Sequence, residues 1–213
     1  MNSAVVQAPP IFLSEAELQA SLDNTLQQRK PGAAVWLFAY GSLIWNPIFK
    51  FTDRQVGTIH GFHRRFCLWV PAGRGTPEQP GLVLGLDRGG CCRGIAFQIA
   101  DADVAAELSL VWQREMLVGS YVPRWVRVSA GEQAFQAITF VINRHHRRYA
   151  GNLSPETTVN SIATASGHLG SCADYLMQTV DGLLSVGIKD KHLLHLRNQV
   201  IARQQLLENI DHL

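Results

Sequence analysis

Short β-rich segments between residues 35 and 142 constrain the fold of this chain more than any other feature. They are rich in β-branched and aromatic residues, and turns containing Gly or Pro, such as 71–73 and 88–90, separate them. The segments are 35–39, 55–59, 62–70, 82–86, 94–99, 122–128 and 134–142. Strands this short and this closely spaced predict a mostly antiparallel sheet that is curled or barrel-like.

Helical patterns flank and interrupt the β-rich region. Ser14 and Glu17 have the spacing of a capping box, and leucines recur every four residues after them, which predicts a helix to about Lys30. A second helix is predicted to begin at an Asp101 cap and to end near Val118. Three more helices are predicted in the final third, at about 154–167, 171–186 and 190–210. The predicted fold class is therefore α+β, with helices flanking the sheet.

Length and charge limit the classes of protein to which the chain can belong. With 213 residues, 46% of them hydrophobic, it can bury one sizeable core, and we predict a tail over 1–13 and a single domain over 14–213. A net charge of +2 argues against a nucleic acid or membrane partner.

No apolar run approaches the roughly 20 residues that span a bilayer, and no secretory signal pattern is present, which predicts a cytoplasmic protein with reduced cysteines. The sequence does not define an oligomeric state.

Glu115 is the ionisable residue whose surroundings are most informative. At about 100° per residue, three apolar residues fall within about 40° of it around the predicted helix axis, so its carboxylate lies in the apolar stripe. Those residues are Val104, Leu108 and Val111. Burial raises the pKa of a carboxyl group, which lets a glutamate transfer protons near neutral pH. The alternative is a structural glutamate paired with a buried arginine such as Arg124 or Arg127.

Residues 37–43 form a second candidate, an apolar strand that runs into a Tyr-Gly-Ser turn. They are Leu37, Phe38, Ala39, Tyr40, Gly41, Ser42 and Leu43. Glycine allows a sharp bend in which successive backbone N–H groups can bind a carboxylate or a developing oxyanion. As a bare pattern it is weak, because strand-turn segments with Gly-Ser are common and most of them are ordinary turns.

The sequence lacks the patterns of metal and nucleotide sites. His60 and His63 fall on opposite faces of a strand, and the other histidines and cysteines lack partners at ligand spacing. Neither GxxxxGK[ST] nor GxGxxG occurs. We therefore predict a site that uses no metal and no cofactor.

The segment 38–47, Phe-Ala-Tyr-Gly-Ser-Leu-Ile-Trp-Asn-Pro, resembles the opening signature of the ChaC family, the glutathione-specific γ-glutamylcyclotransferases. More segments resemble the family in the same order, to about residue 195. They lie within 56–66, 74–81, 94–97, 112–121 and 166–176. By this resemblance, Glu115 matches the family's catalytic glutamate and residues 37–43 match its substrate-binding loop.

The resemblance implies a γ-glutamylcyclotransferase-like fold and a lyase-type cyclisation of glutathione to 5-oxoproline and Cys-Gly. The α-amine of the γ-glutamyl unit would attack the γ-carbonyl, with Glu115 as general acid and base. Tyr121 and Tyr149 are candidate pocket donors, with ordinary packing as the alternative. Two other functions stay open: a cyclotransferase for other γ-glutamyl amino acids or amines, and a non-catalytic regulator that senses a metabolite.

Overall fold

The structure, a computed structural model, describes residues 10–211, which divide into two compact units. One unit comprises residues 10–64 and 85–146, and the other comprises residues 65–84 and 147–211. The single domain over 14–213 and the tail over 1–13 stay predictions. Residues 1–9 lie outside the described residues, and residues 10–13 have no regular secondary structure.

Five strands close into a barrel. They are β1 (Val35–Ala39), β2 (Asp53–Val70), β3 (Gly81–Ile99), β4 (Tyr121–Ala130) and β5 (Gln133–Ile142). Their order is β1-β3-β2-β4-β5, and β3 also pairs with β5. The pairings of β1 with β3, β2 with β4 and β4 with β5 are antiparallel, whereas β1 and β3 each meet β5 in parallel at one register position. The predicted barrel-like, mostly antiparallel sheet is confirmed. Two short strands, β6 (Ser166–Gly167) and β7 (Gly170–Ser171), form a separate pair.

Two of the predicted strand breaks are wrong. Segments 55–59 and 62–70 belong to the one strand β2, and segments 82–86 and 94–99 belong to the one strand β3. Gly61, Gly89 and Gly90 have φ values of 85°, 96° and 70° inside these strands. A glycine with positive φ can produce a local irregularity in a strand without ending it, so the predicted turn at 88–90 does not form.

Residues 10–211 contain five α-helices: α1 (Glu15–Leu26), α2 (Val104–Glu115), α3 (Pro155–Thr164), α4 (Cys172–Ser185) and α5 (Lys191–Asp211). The capping box is confirmed, because Ser14 Oγ accepts from the Glu17 amide and the Glu17 carboxylate accepts from the Ser14 amide. The predicted Asp101 cap is wrong, because a 3-10 helix, Asp101–Asp103, precedes α2. Between residues 10 and 211, no helix is both long and apolar enough to cross a membrane.

The strand β1 and the helix α2 are fixed within one unit by close packing. Every residue of β1 is buried. Gly94 of β3 approaches β1 so closely that an added Cβ would lie 2.3 Å from the Ala39 carbonyl oxygen. In α2, Trp112 packs edge to face against Phe140 of β5, with ring centroids 5.0 Å apart. These two elements carry Glu115 and the candidate loop.

Candidate active site

Glu115 is the last residue of α2, and its side chain is 15% exposed. The predicted apolar stripe is confirmed, because Val104, Leu108 and Val111 are all buried. Burial raises the pKa of the Glu115 carboxyl group above its ordinary value, and the positive charge of Arg114 opposes that rise. The protein therefore holds a carboxylate that takes up a proton more readily than an exposed glutamate does.

The arginine next to this carboxylate differs from the two named by the structural alternative. Arg124 and Arg127 lie exposed on β4, so neither is a buried partner, and that form of the alternative is wrong. Arg114 takes their place, with its Nε 3.5 Å from Glu115 Oε1. Its side chain is 27% exposed, so the ion pair is partly solvated and weakly stabilising.

The candidate loop divides into a buried strand and a turn. The side chains of Leu37, Phe38 and Ala39 lie in the core as part of β1. The chain then passes through Tyr40, which is 8% exposed, and Gly41 into a 3-10 helix, Ser42–Ile44. The guanidinium of Arg64 donates to the Tyr40 carbonyl oxygen at 2.8 Å and also to the Arg93 carbonyl oxygen. The turn is therefore anchored to its own unit.

Arg114 connects this turn to the carboxylate. Its Nη2 donates to Ser42 Oγ at 2.8 Å, and its Nη1 donates to the Asn46 carbonyl oxygen at 3.0 Å. Through these contacts the structure brings Ser42 and Glu115 to one guanidinium. Sequence reasoning missed Arg114, because its partners Ser42 and Asn46 lie 72 and 68 residues away and no local pattern marks the contact.

The two candidate tyrosines lie in different units. Tyr121 is half-buried at the start of β4, where it pairs with Ile142. Tyr149 is half-buried as well and forms an isolated antiparallel bridge with Leu68. A role for either tyrosine in a pocket stays a prediction.

His, Cys, Asp and Glu are the side chains that usually bind metal ions in proteins. Across residues 10–211, no group of three or more His, Cys, Asp or Glu side chains is placed to hold a metal ion. All four cysteines are thiols, and Cys91 is the exposed one. That the reaction needs no metal or cofactor stays a prediction.

We expect Glu115→Gln to increase the free energy of unfolding at pH 7 by about 0.5–2 kcal/mol, because an acid with a raised pKa in the folded state destabilises that state once it ionises. The contribution of the Glu115 carboxyl group to wild-type stability is fully present below the ordinary pKa of 4.5 and is lost as the pH rises through the raised pKa of the folded state. The gain should therefore disappear near pH 4. Urea unfolding at both pH values measures it, with Glu132→Gln on the exposed β4–β5 turn as the control. A gain that is equal at both pH values would contradict the prediction.

The fold is shared with a solved structure. The crystal structure of a γ-glutamyl cyclotransferase specific to glutathione from yeast superposes with a TM-score of 0.73, over 80% of this chain and 97% of that chain. The two sequences are 21% identical over the match. The predicted γ-glutamylcyclotransferase-like α+β fold is therefore confirmed.

Sequence comparisons give the family. Residues 35–203 match the family model ChaC, described as ChaC-like protein. The chain is 39% identical to the glutathione-specific γ-glutamylcyclotransferase of Escherichia coli (strain K12), over 93% of this chain and 86% of that protein. It is 32% identical to glutathione-specific γ-glutamylcyclotransferase 1 of Mus musculus, over 90% of this chain and 88% of that protein. On this evidence, the chain belongs to the ChaC family.

Proposed function

We propose that this protein cleaves glutathione to 5-oxoproline and Cys-Gly, with Glu115 as the general acid and base. One observation carries the proposal: a mostly buried carboxylate with a raised pKa is joined through Arg114 to the turn after β1. Membership of the ChaC family supports it, as do relatives named glutathione-specific γ-glutamylcyclotransferases that match most of the chain.

The reaction needs one group that moves a proton. The Glu115 carboxylate takes a proton from the α-ammonium of the γ-glutamyl unit, and the freed amine attacks the γ-carbonyl carbon. A carbon–nitrogen bond forms and closes a five-membered ring, with a tetrahedral oxyanion as intermediate. The Glu115 carboxyl group then gives its proton to the nitrogen of Cys-Gly, and the bond from the tetrahedral carbon to that nitrogen breaks. The ring nitrogen loses its second proton to the released amine, so the products are 5-oxoproline and Cys-Gly with a protonated amine. Because the attack is intramolecular, a site that holds the substrate bent supplies much of the rate.

The loop 37–43 is the proposed substrate-binding loop. Backbone amides of the turn at Tyr40, Gly41 and Ser42 would bind the α-carboxylate or the oxyanion of the intermediate. The anchoring of this turn by Arg64 and Arg114 supports that role, because donors that are fixed beforehand need no reorganisation when charge develops. Tyr121 and Tyr149 are proposed as further pocket donors.

Turnover of three substrates tests the proposal. We expect equal amounts of 5-oxoproline and Cys-Gly from glutathione in a buffer that contains EDTA, since the proposed steps need no metal. We expect kcat/KM to be at least about 100-fold lower for γ-glutamyl-alanine and for a γ-glutamyl-amine, because both lack groups that a glutathione site would bind. Product analysis by chromatography measures both expectations.

The other outcomes separate the alternative functions. Comparable turnover of all three substrates would replace glutathione specificity with a broad cyclotransferase activity. Saturable binding of glutathione in calorimetry without release of 5-oxoproline would favour a metabolite-sensing regulator. We further propose that the protein acts in the cytoplasm, an environment that suits its four thiols.

A further inference from the structure

Each of the three guanidinium nitrogens of Arg114 contacts a different residue. Nη2 donates to the Ser42 hydroxyl, Nη1 donates to the Asn46 carbonyl, and Nε lies beside the Glu115 carboxylate. The guanidinium is planar and its donors are held in a fixed fork. The two hydrogen bonds therefore fix Ser42 and Asn46 in direction as well as in distance, while the ion pair keeps the Glu115 carboxylate beside the same guanidinium. A flexible ammonium group could not combine these contacts.

The position of Arg114 on its helix adds an electrostatic contribution. Arg114 and Glu115 form the C-terminal end of α2, where the unpaired carbonyl groups give the helix a partial negative charge. A cation is favourable there and a carboxylate is unfavourable. In residues 10–211, Arg114 is the charged group that acts on the Glu115 carboxyl, and it lowers the pKa that burial raises.

A second contact limits how much of the segment after β1 would be displaced if Arg114 were removed. Glu107, on the same helix and 8% exposed, accepts a hydrogen bond from the Lys50 amide at 2.9 Å. The segment after β1 is therefore fastened to α2 by Arg114 at Ser42 and Asn46, and by Glu107 at Lys50. Removal of Arg114 would release the end of the segment nearest the turn while the far end stays attached.

We propose that Arg114 is a positioning residue of the cyclisation, which holds the Glu115 carboxylate at a fixed distance and orientation from the turn at Tyr40–Ser42. The inference rests on the proposed function and extends it from one residue, Glu115, to the pair of Arg114 and Glu115. In this arrangement the fork of donors sets the geometry, and the positive charge lowers the pH at which the buried Glu115 carboxyl group ionises. Those two effects can be separated by mutation.

Two variants of Arg114 separate geometry from charge. Arg114→Lys keeps the charge but cannot maintain both hydrogen bonds together with the ion pair, so we expect kcat to fall by about 10- to 100-fold with the acid limb of kcat/KM near its wild-type pH. Arg114→Gln removes the charge as well. We expect a fall in kcat at least as large, with the acid limb moved to higher pH because Glu115 becomes harder to ionise.

Arg127→Gln is the matched control, because it removes an arginine charge from an exposed position on β4. We expect its kcat and its pH profile to equal those of the wild type. A purely structural role for Arg114 would lower the melting temperature and the active fraction without moving the acid limb. The limb does not depend on how much enzyme is active, so it remains informative if a variant folds poorly.

These measurements distinguish a failure of the positioning role of Arg114 from a failure of the proposed function. If wild-type protein releases 5-oxoproline and Glu115→Gln does not, but both Arg114 variants have the kcat and pH profile of Arg127→Gln, the positioning role is overturned and the proposed function stands. An acid limb for Arg114→Gln at the wild-type pH also overturns it. If wild-type protein forms no 5-oxoproline from glutathione, the proposed function itself fails.

Discussion

Glu115→Gln is expected to lower kcat for 5-oxoproline formation by about 10²- to 10⁴-fold, the range over which a positioned acid or base contributes to catalysis. Glutamine keeps the size and planar shape of the side chain but cannot accept the ammonium proton. Its amide can still contact Arg114 through its oxygen, so the loop geometry should change little. We therefore expect the dissociation constant for glutathione, measured by calorimetry, to stay within a few-fold of the wild type.

Glu132→Gln serves as the control for that experiment, because it makes the same change at an exposed residue of the same unit. Its kcat should equal that of the wild type. Wild-type turnover by Glu115→Gln would remove Glu115 from the mechanism. A large loss of glutathione binding with kcat retained would instead identify Glu115 as a substrate-binding residue.

Gly94→Ala is expected to destabilise the protein by about 3 kcal/mol, the upper part of the usual cost of overpacking a core. The new Cβ would lie 2.3 Å from the Ala39 carbonyl oxygen and 2.7 Å from a ring carbon of Phe38. Backbone cannot yield as a flexible side chain can, so β1 and β3 would have to separate. Since the candidate turn follows Ala39 directly, any Gly94→Ala protein that folds should also lose activity.

Gly131→Ala provides the comparison. Gly131 has a φ of 60° and no atom within 4 Å of an added Cβ, so the substitution adds backbone strain without a clash. We expect it to cost about 1 kcal/mol and to leave kcat unchanged. The free energies of unfolding in urea measure both variants. Equal costs for the two would show that the contact between Gly94 and β1 relaxes easily.

Local signals in the sequence predicted much of the fold. The capping box of Ser14 and Glu17 depends on neighbouring residues and is present. Asp190, at the predicted start of the last helix, accepts from two amides of α5. The strand breaks predicted at glycines do not occur. Gly61, Gly89 and Gly90 have the positive φ of turn residues, but pairing with neighbouring strands keeps them within β2 and β3.

In the candidate site, too, the sequence predicts local features but not contacts between distant parts of the chain. The burial of Glu115 could be predicted because it follows from the 3.6-residue period of one helix. The identity of its arginine could not, because the contacts of Arg114 with Ser42 and Asn46 join parts of the chain that are distant in sequence. Arg124 and Arg127, the arginines of the structural alternative, are exposed on β4.

The closure of the barrel bears on how the chain acquires its structure. Leu37 of β1 pairs with Ile138 of β5, and Thr139 Oγ1 donates to the Phe38 carbonyl oxygen across 101 residues of sequence. Contacts this distant require a costly loop closure and slow folding relative to helical proteins. On a ribosome, the chain can complete these pairings only after β5 has been synthesised. The turn after β1 is made early, but it acquires its final support late.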